Sequence, residues 1–232
     1  MESFSYVDIF STKGIEYLMV IGYLVLFVFF WRVLLRPVPA EEGLEVKEKK
    51  FKFSGNWFKM PQGYYFHQGH SWAKPIEESI VTVGINDFAH KMLGDPDKIE
   101  LPEKGTNIVQ GEKGWSFKYK NDSVDMLSPV NGEIIEVNKD VVEHPESISK
   151  ELYKNGWLMK VKVSKLKTDL KNLISENLAD AWISQTENIV RQKYSGSLSP
   201  VLQDGGTPVK GFVRQLSPDN WHEIANEFLK NE

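Results

Sequence analysis

With 232 residues, 41% of them hydrophobic and 26% charged, the chain holds enough apolar material for one globular domain with appendages. Its formal net charge of -4 offers no basic excess to neutralise phosphates, which excludes nucleic acid as an expected partner. Cysteine is absent, so disulfides, thiolate zinc sites, cysteine-ligated iron–sulfur clusters and thiol-attached haem are excluded, and a redox role needs a partner that carries the cofactor.

Residues 1–14 read as a short segment ahead of an apolar run. From Tyr17 to Trp31 no side chain is charged. Taken over residues 15–36, the run has the length of a single-pass transmembrane helix, and Trp31 beside Arg32 suits an interfacial anchor. A cleaved signal peptide competes with this reading, but its positive end should come first; here only Lys13 precedes the run, whereas Arg32, Arg36, Lys47 and Lys49 follow. The same asymmetry predicts a short N-terminus outside and the globular domain in the cytoplasm. Pro37 and Pro39 stop the helix, and the mixed charges of residues 37–60 read as a linker.

Over residues 61–185, short apolar runs broken by Gly, Pro and Asn predict mainly strand. Phe88–Leu93 is a helical exception that Asn86 and Asp87 can cap. Trp115, Phe117 and Tyr119 alternate with Ser116, Lys118 and Lys120, the period of a half-buried strand. Asn121-Asp122 then tolerate the positive φ of a two-residue turn, and the chain returns through Val124 and Met126 as a hairpin. After Lys165 the period becomes helical: Leu166, Leu170, Leu173, Ile174, Leu178, Ala181 and Trp182 share one face. Residues 186–232 form an extension, irregular at first and then helical from Ser217, with Pro218 at the first helical position. The stripe of this last helix either docks on the chain's own barrel or fills a groove on a partner. Trp221, Ile224, Phe228 and Leu229 are the candidate partner-binding residues.

Several motifs occur in one order: His70-Ser71-Trp72, Val83-Gly84-Ile85-Asn86-Asp87-Phe88-Ala89, Glu100-Leu101-Pro102, Ser128-Pro129-Val130-Asn131-Gly132 and Gly156-Trp157-Leu158-Met159-Lys160-Val161. Together they resemble the H protein of the glycine cleavage system, a lipoylated carrier. The resemblance implies a mainly β fold with flanking helices, a lipoyl-type barrel-sandwich domain, here preceded by one N-terminal transmembrane helix. Counted back from Ser128 by the family's offset, the lipoyl lysine falls on Asn121, which has no amine to acylate. Lys120 is adjacent, but a one-residue slip turns a strand residue to the opposite face. The glutamate that the family places three residues before its lysine is also missing, with Lys118 before Asn121 and Phe117 before Lys120.

The expected cofactor is therefore none, with lipoylation of Lys120 in a shifted register as the alternative. His67 and His70 have a spacing that metal sites use, yet no cysteine accompanies them and further ligands would have to come from afar, so no metal is expected. Nothing supplies a nucleophile or a convergent acid–base pair, so no catalytic residue is assigned. The expected function is a non-enzymatic accessory subunit, anchored in the lipid bilayer, that docks other protein subunits of a membrane-associated respiratory or redox complex at the cytoplasmic face. The alternative is a lipoylated carrier of acyl or reducing equivalents using Lys120.

Overall fold

In a computed structural model, residues 9–34, 57–120, 122–194, 202 and 206–230 are described. The chain divides into two units, residues 1–53 and residues 54–232.

The first unit contains helix α1, Ile9–Leu34. Apolar side chains from Tyr17 to Trp31 point to every side of it and are exposed, so no single face is set aside for a core. Tyr23, Phe27 and Trp31 form a ladder at helical spacing, with ring centroids 6.4 and 5.9 Å apart. The expected span does not stand as predicted: among the described residues no helix is long and apolar enough to cross a membrane. The charge-free stretch from Tyr17 to Trp31 rises about 22 Å, at ~1.5 Å per residue, against a hydrocarbon core of ~30 Å.

The second unit is sheet-dominated. Seven antiparallel strands lie in the order β10-β1-β2-β3-β9-β8-β5. They are β1 (Tyr65–Phe66), β2 (Ser71–Pro75), β3 (Ile80–Ile85), β5 (Asn107–Ile108), β8 (Gly132–Val137), β9 (Met159–Lys162) and β10 (Ile174–Ser175). A second sheet, β4-β6-β7, is made of Lys98–Glu100, Lys113–Tyr119 and Asp122–Leu127. Val81, Val83 and Ile85 of β3 and Trp115, Phe117, Val124 and Met126 of the β6–β7 hairpin all contribute to one buried core. Glycine is required where strands meet closely: a Cβ on Gly84 would lie 2.5 Å from the Trp72 ring, and one on Gly132 would lie 2.2 Å from the Lys162 carbonyl oxygen.

Helix α2, Asp87–Leu93, follows β3 as expected, and Asn86 caps it by accepting a hydrogen bond from the Ala89 amide at 3.0 Å. Helix α3, Lys139–Glu143, and a 3-10 turn, Pro145–Ser149, link β8 to β9.

Three expectations need correction. The linker does not run to residue 60, because Trp57 and Phe58 are buried. The Trp57 amide donates to Glu187 Oε2 at 3.0 Å, the Arg191 guanidinium lies 3.5 Å from the Trp57 ring centroid, and the Phe58 ring meets Phe88 at 5.0 Å. The long helix after Lys165 is interrupted: α4 is Leu166–Lys171, β10 pairs with β1, and α5 is Glu176–Lys193. The break shifts the helical phase, so Leu178 is exposed while Ala179, Ile183 and Val190 are buried. The last helix, α7, covers Trp221–Leu229 and starts later than Ser217; α6, Phe212–Leu216, precedes it. Of the two alternatives for the extension, packing on its own chain is the one found: the Gly211 amide donates to the Lys91 carbonyl at 2.8 Å, and Arg214 Nη2 donates to the Leu93 carbonyl at 2.7 Å.

Candidate functional site: the hairpin tip and its cover

Strands β6 and β7 pair with Tyr119 opposite Asp122, and Lys120 follows β6 as a turn residue. Asp122, expected in the turn with Asn121, is instead the first residue of β7. Lys120 has φ 50°, the left-handed conformation that a tight hairpin demands at its first central position and that β-carbon contacts disfavour. Its amide donates to Asp97 Oδ2 at 2.6 Å, a charge-assisted bond that holds the strained residue in place. The Lys120 side chain is exposed. It occupies the turn itself, so the expectation that it faces the wrong side of a strand does not apply. Asn121 lies outside the described residues.

Behind the tip the strand is roofed over. Tyr119 is 3% exposed, and its hydroxyl donates to the Gly94 carbonyl at 3.2 Å. The Trp221 ring meets the Tyr119 ring edge-on at 5.4 Å, and the Arg214 guanidinium lies 4.7 Å from Tyr119 and 5.9 Å from Trp221. Desolvation holds the Tyr119 hydroxyl far above its ordinary pKa of 10.0, so it remains a neutral donor. Beside it Lys210 Nζ pairs with Asp95 Oδ2 at 2.9 Å, and Asp95 also takes a 3.1 Å contact from His90 Nε2.

The candidate partner-binding stripe is spent on this cover. Trp221, Phe228 and Leu229 are buried, and Ile224 is half-buried against the core. Phe228 meets Phe88 at 5.5 Å. These residues pack on their own chain because α7 lies against β7 and α2, and they are not offered to a partner in this conformation. Asp97, Arg214 and Lys210 were not foreseen. Their partners lie 23 to 121 residues away in sequence, beyond the reach of any local pattern.

His67 and His70 do not converge on a metal. His67 Nδ1 accepts from the Gly69 amide at 3.0 Å, whereas His70 Nδ1 faces Asn86 Nδ2 at 3.0 Å. Among the described residues no cluster of three or more His, Cys, Asp or Glu is placed to hold a metal ion.

Comparison with known proteins gives one consistent result. The family model for glycine cleavage H-protein matches residues 64–186. A probable glycine cleavage system H protein from Thermococcus gammatolerans is 35% identical over 132 residues, covering 57% of this chain and 96% of that protein. Its counterpart from Pyrococcus abyssi is 37% identical over 117 residues, covering 50% and 87% respectively. A crystal structure of a glycine cleavage system H protein from Mycobacterium marinum aligns with 45% of this chain and 87% of its own at 30% identity, with a TM-score of 0.42.

Proposed function

Because this chain belongs to the glycine cleavage H-protein family, yet carries Asn121 where the family's acceptor lysine is expected, we propose that it is a membrane-anchored, non-lipoylated docking subunit. The observation that carries this reading is the cover over the hairpin. A swinging-arm carrier works by presenting its tip to successive enzymes, whereas Trp221 and Arg214 build over the Tyr119 side of this tip. The anchor is α1, whose apolar side chains from Tyr17 to Trp31 are exposed all round and need a hydrophobic surrounding. Arg32 in its last turn and the basic residues that follow in the sequence suit contact with anionic headgroups. Tethering raises the effective concentration of the unit for partners at that surface, which suits assembly of a membrane-associated, respiratory or redox complex. No catalytic group is assigned.

One observation favours a second reading. Lys120 is exposed in the turn, so an enzyme could reach its amine, which would make the protein a lipoylated carrier. A detergent pull-down of the native protein, with intact-mass and peptide mass spectrometry on the same sample, separates the two. An unmodified chain with stoichiometric membrane partners supports the docking subunit. A lipoyl adduct at Lys120 overturns it in favour of the carrier, and a chain found alone in the soluble fraction removes both anchor and docking role.

A further inference from the structure

A cavity of about 310 Å³ lies between α5, α7 and the loop before β2, lined among others by His70, Trp182, Thr186, Phe228 and Lys230. Part of its wall, Phe228 and Lys230 included, comes from beyond residue 186, where the family match ends. The cavity is thus a product of this chain's own extension.

The hydrogen-bonding state of His70 follows from its neighbour. The Ala89 amide can only donate, so the Asn86 atom that meets it at 3.0 Å is Oδ1. Asn86 then turns its amino group, a donor, toward His70 Nδ1, which must accept. Burial drives the His70 pKa down to about 3, so the ring is neutral and carries its single proton on Nε2. The rings of Phe88 and Trp182 pack against the imidazole at 4.2 and 4.6 Å. That leaves the Nε2 edge of a residue only 2% exposed to line the cavity, and among the described residues no partner accepts from it.

Open to the cavity and without an acceptor on the protein among the described residues, this N–H is a donor that a ligand's acceptor can take up. Lys230, also on the wall, adds a positive charge, while the Glu227 carboxylate at the rim is turned to Lys193 and neutralised there. Trp182, Ile189 and Phe228 supply an apolar surface on which a flat or short aliphatic body can lie. The volume equals roughly ten waters, the size of a small organic molecule.

We propose that this cavity is a binding site for a small organic carboxylate, whose oxygen accepts from His70 Nε2 and pairs with Lys230 while its body stacks on Trp182. The site joins α5 to α7, so occupancy ties the tail to the body. It stands apart from whether the protein is a docking subunit or a carrier.

The test is titration of the full-length protein in detergent with benzoate, followed by the NMR signals of the tryptophan indoles, with the uncharged isostere benzamide as control. Saturable benzoate binding is expected, at least tenfold tighter than benzamide. Lys230→Met, which alters an exposed residue, should weaken it about tenfold, and His70→Phe should weaken it similarly. Nitrogen chemical shifts of the unliganded protein should show His70 protonated on Nε2, a readout independent of any variant's folding. Absence of saturation at 10-millimolar order, equal binding of benzamide, no effect of Lys230→Met, or a proton on Nδ1 would each overturn the proposal.

Discussion

Replacing Trp221 by Ala tests whether the extension is a structural part of the body. Trp221 is 5% exposed, and its ring packs edge-on against Tyr119 at 5.4 Å with the Arg214 guanidinium 5.9 Å from its centroid. Truncating a buried Trp costs ~3–5 kcal/mol, of which the aromatic pair accounts for ~0.5–1.5. Because α7 is a short helix of 9 residues, the site can collapse or fray, which places the expected loss near the lower figure, about 3 kcal/mol. For a unit of this size that lowers Tm by roughly 6–12 °C. Urea unfolding monitored by fluorescence gives the free energy, and hydrogen exchange locates it: amides of α7 and of β7 should lose protection together. A loss below about 1 kcal/mol, with α7 amides as protected as in the unaltered protein, would show that the tail is not held as described.

Acid should weaken the fold through His70. Its pKa falls from the ordinary 6.5 to about 3 on burial, so between those values the unfolded chain binds the extra proton and stability declines as pH drops, while above 6.5 the contribution is complete. The slope from this one group is about 1.4 kcal/mol per pH unit in mid-window, and denaturant titrations of His70→Phe should show a shallower acid limb; an unchanged limb would assign the proton elsewhere. Arg191→Met leaves the Glu187 carboxylate, 4% exposed, without the guanidinium that donates to Oε1 at 2.7 Å, a loss of about 3–5 kcal/mol. The same change combined with Glu187→Gln should be the milder of the two by thermal unfolding, since the uncompensated charge is gone. Gly132→Ala drives a Cβ to 2.2 Å from the Lys162 carbonyl and 2.8 Å from Val161 Cγ1. It should part β8 from β9 at a cost of about 3 kcal/mol or more, read as lost amide protection in both strands. Finally, Lys118→Glu with Asn121→Lys should acquire a lipoyl mass when co-expressed with a lipoylating enzyme, and no adduct on the double variant would mean that more than the missing lysine blocks modification.

What the sequence made legible was local. The alternation of Trp115, Phe117 and Tyr119 reports a buried strand face directly, and Asn86 before Phe88 reports a cap, because both signals lie within a few residues of their effect. The helix period after Lys165 misled for the same reason. A period cannot register that Ile174-Ser175 is pulled out of the helix by pairing with Phe66 and Tyr65, a hundred residues away by chain but adjacent in the sheet. Trp57 and Phe58 were lost in a charged stretch because their burial depends on Glu187, Arg191 and Phe88. At the site, Asn121 at the place where the resemblance expects a lysine is visible in the residue string, whereas the strand register at Tyr119 and the proton on His70 Nε2 depend on partners from other elements.

The cover over the hairpin also sets an order of events during synthesis. Strands β6 and β7 are complete by Leu127, but Arg214 and Trp221, which close over Tyr119, are made roughly 90 residues later. At ~5–20 residues per second that interval is roughly 5–20 seconds. During it the Tyr119 side of the tip is open to any enzyme or chaperone that binds nascent chains, and once α7 docks it is shut. What reaches that surface in the living cell is therefore decided by a race with translation, before the finished protein exists.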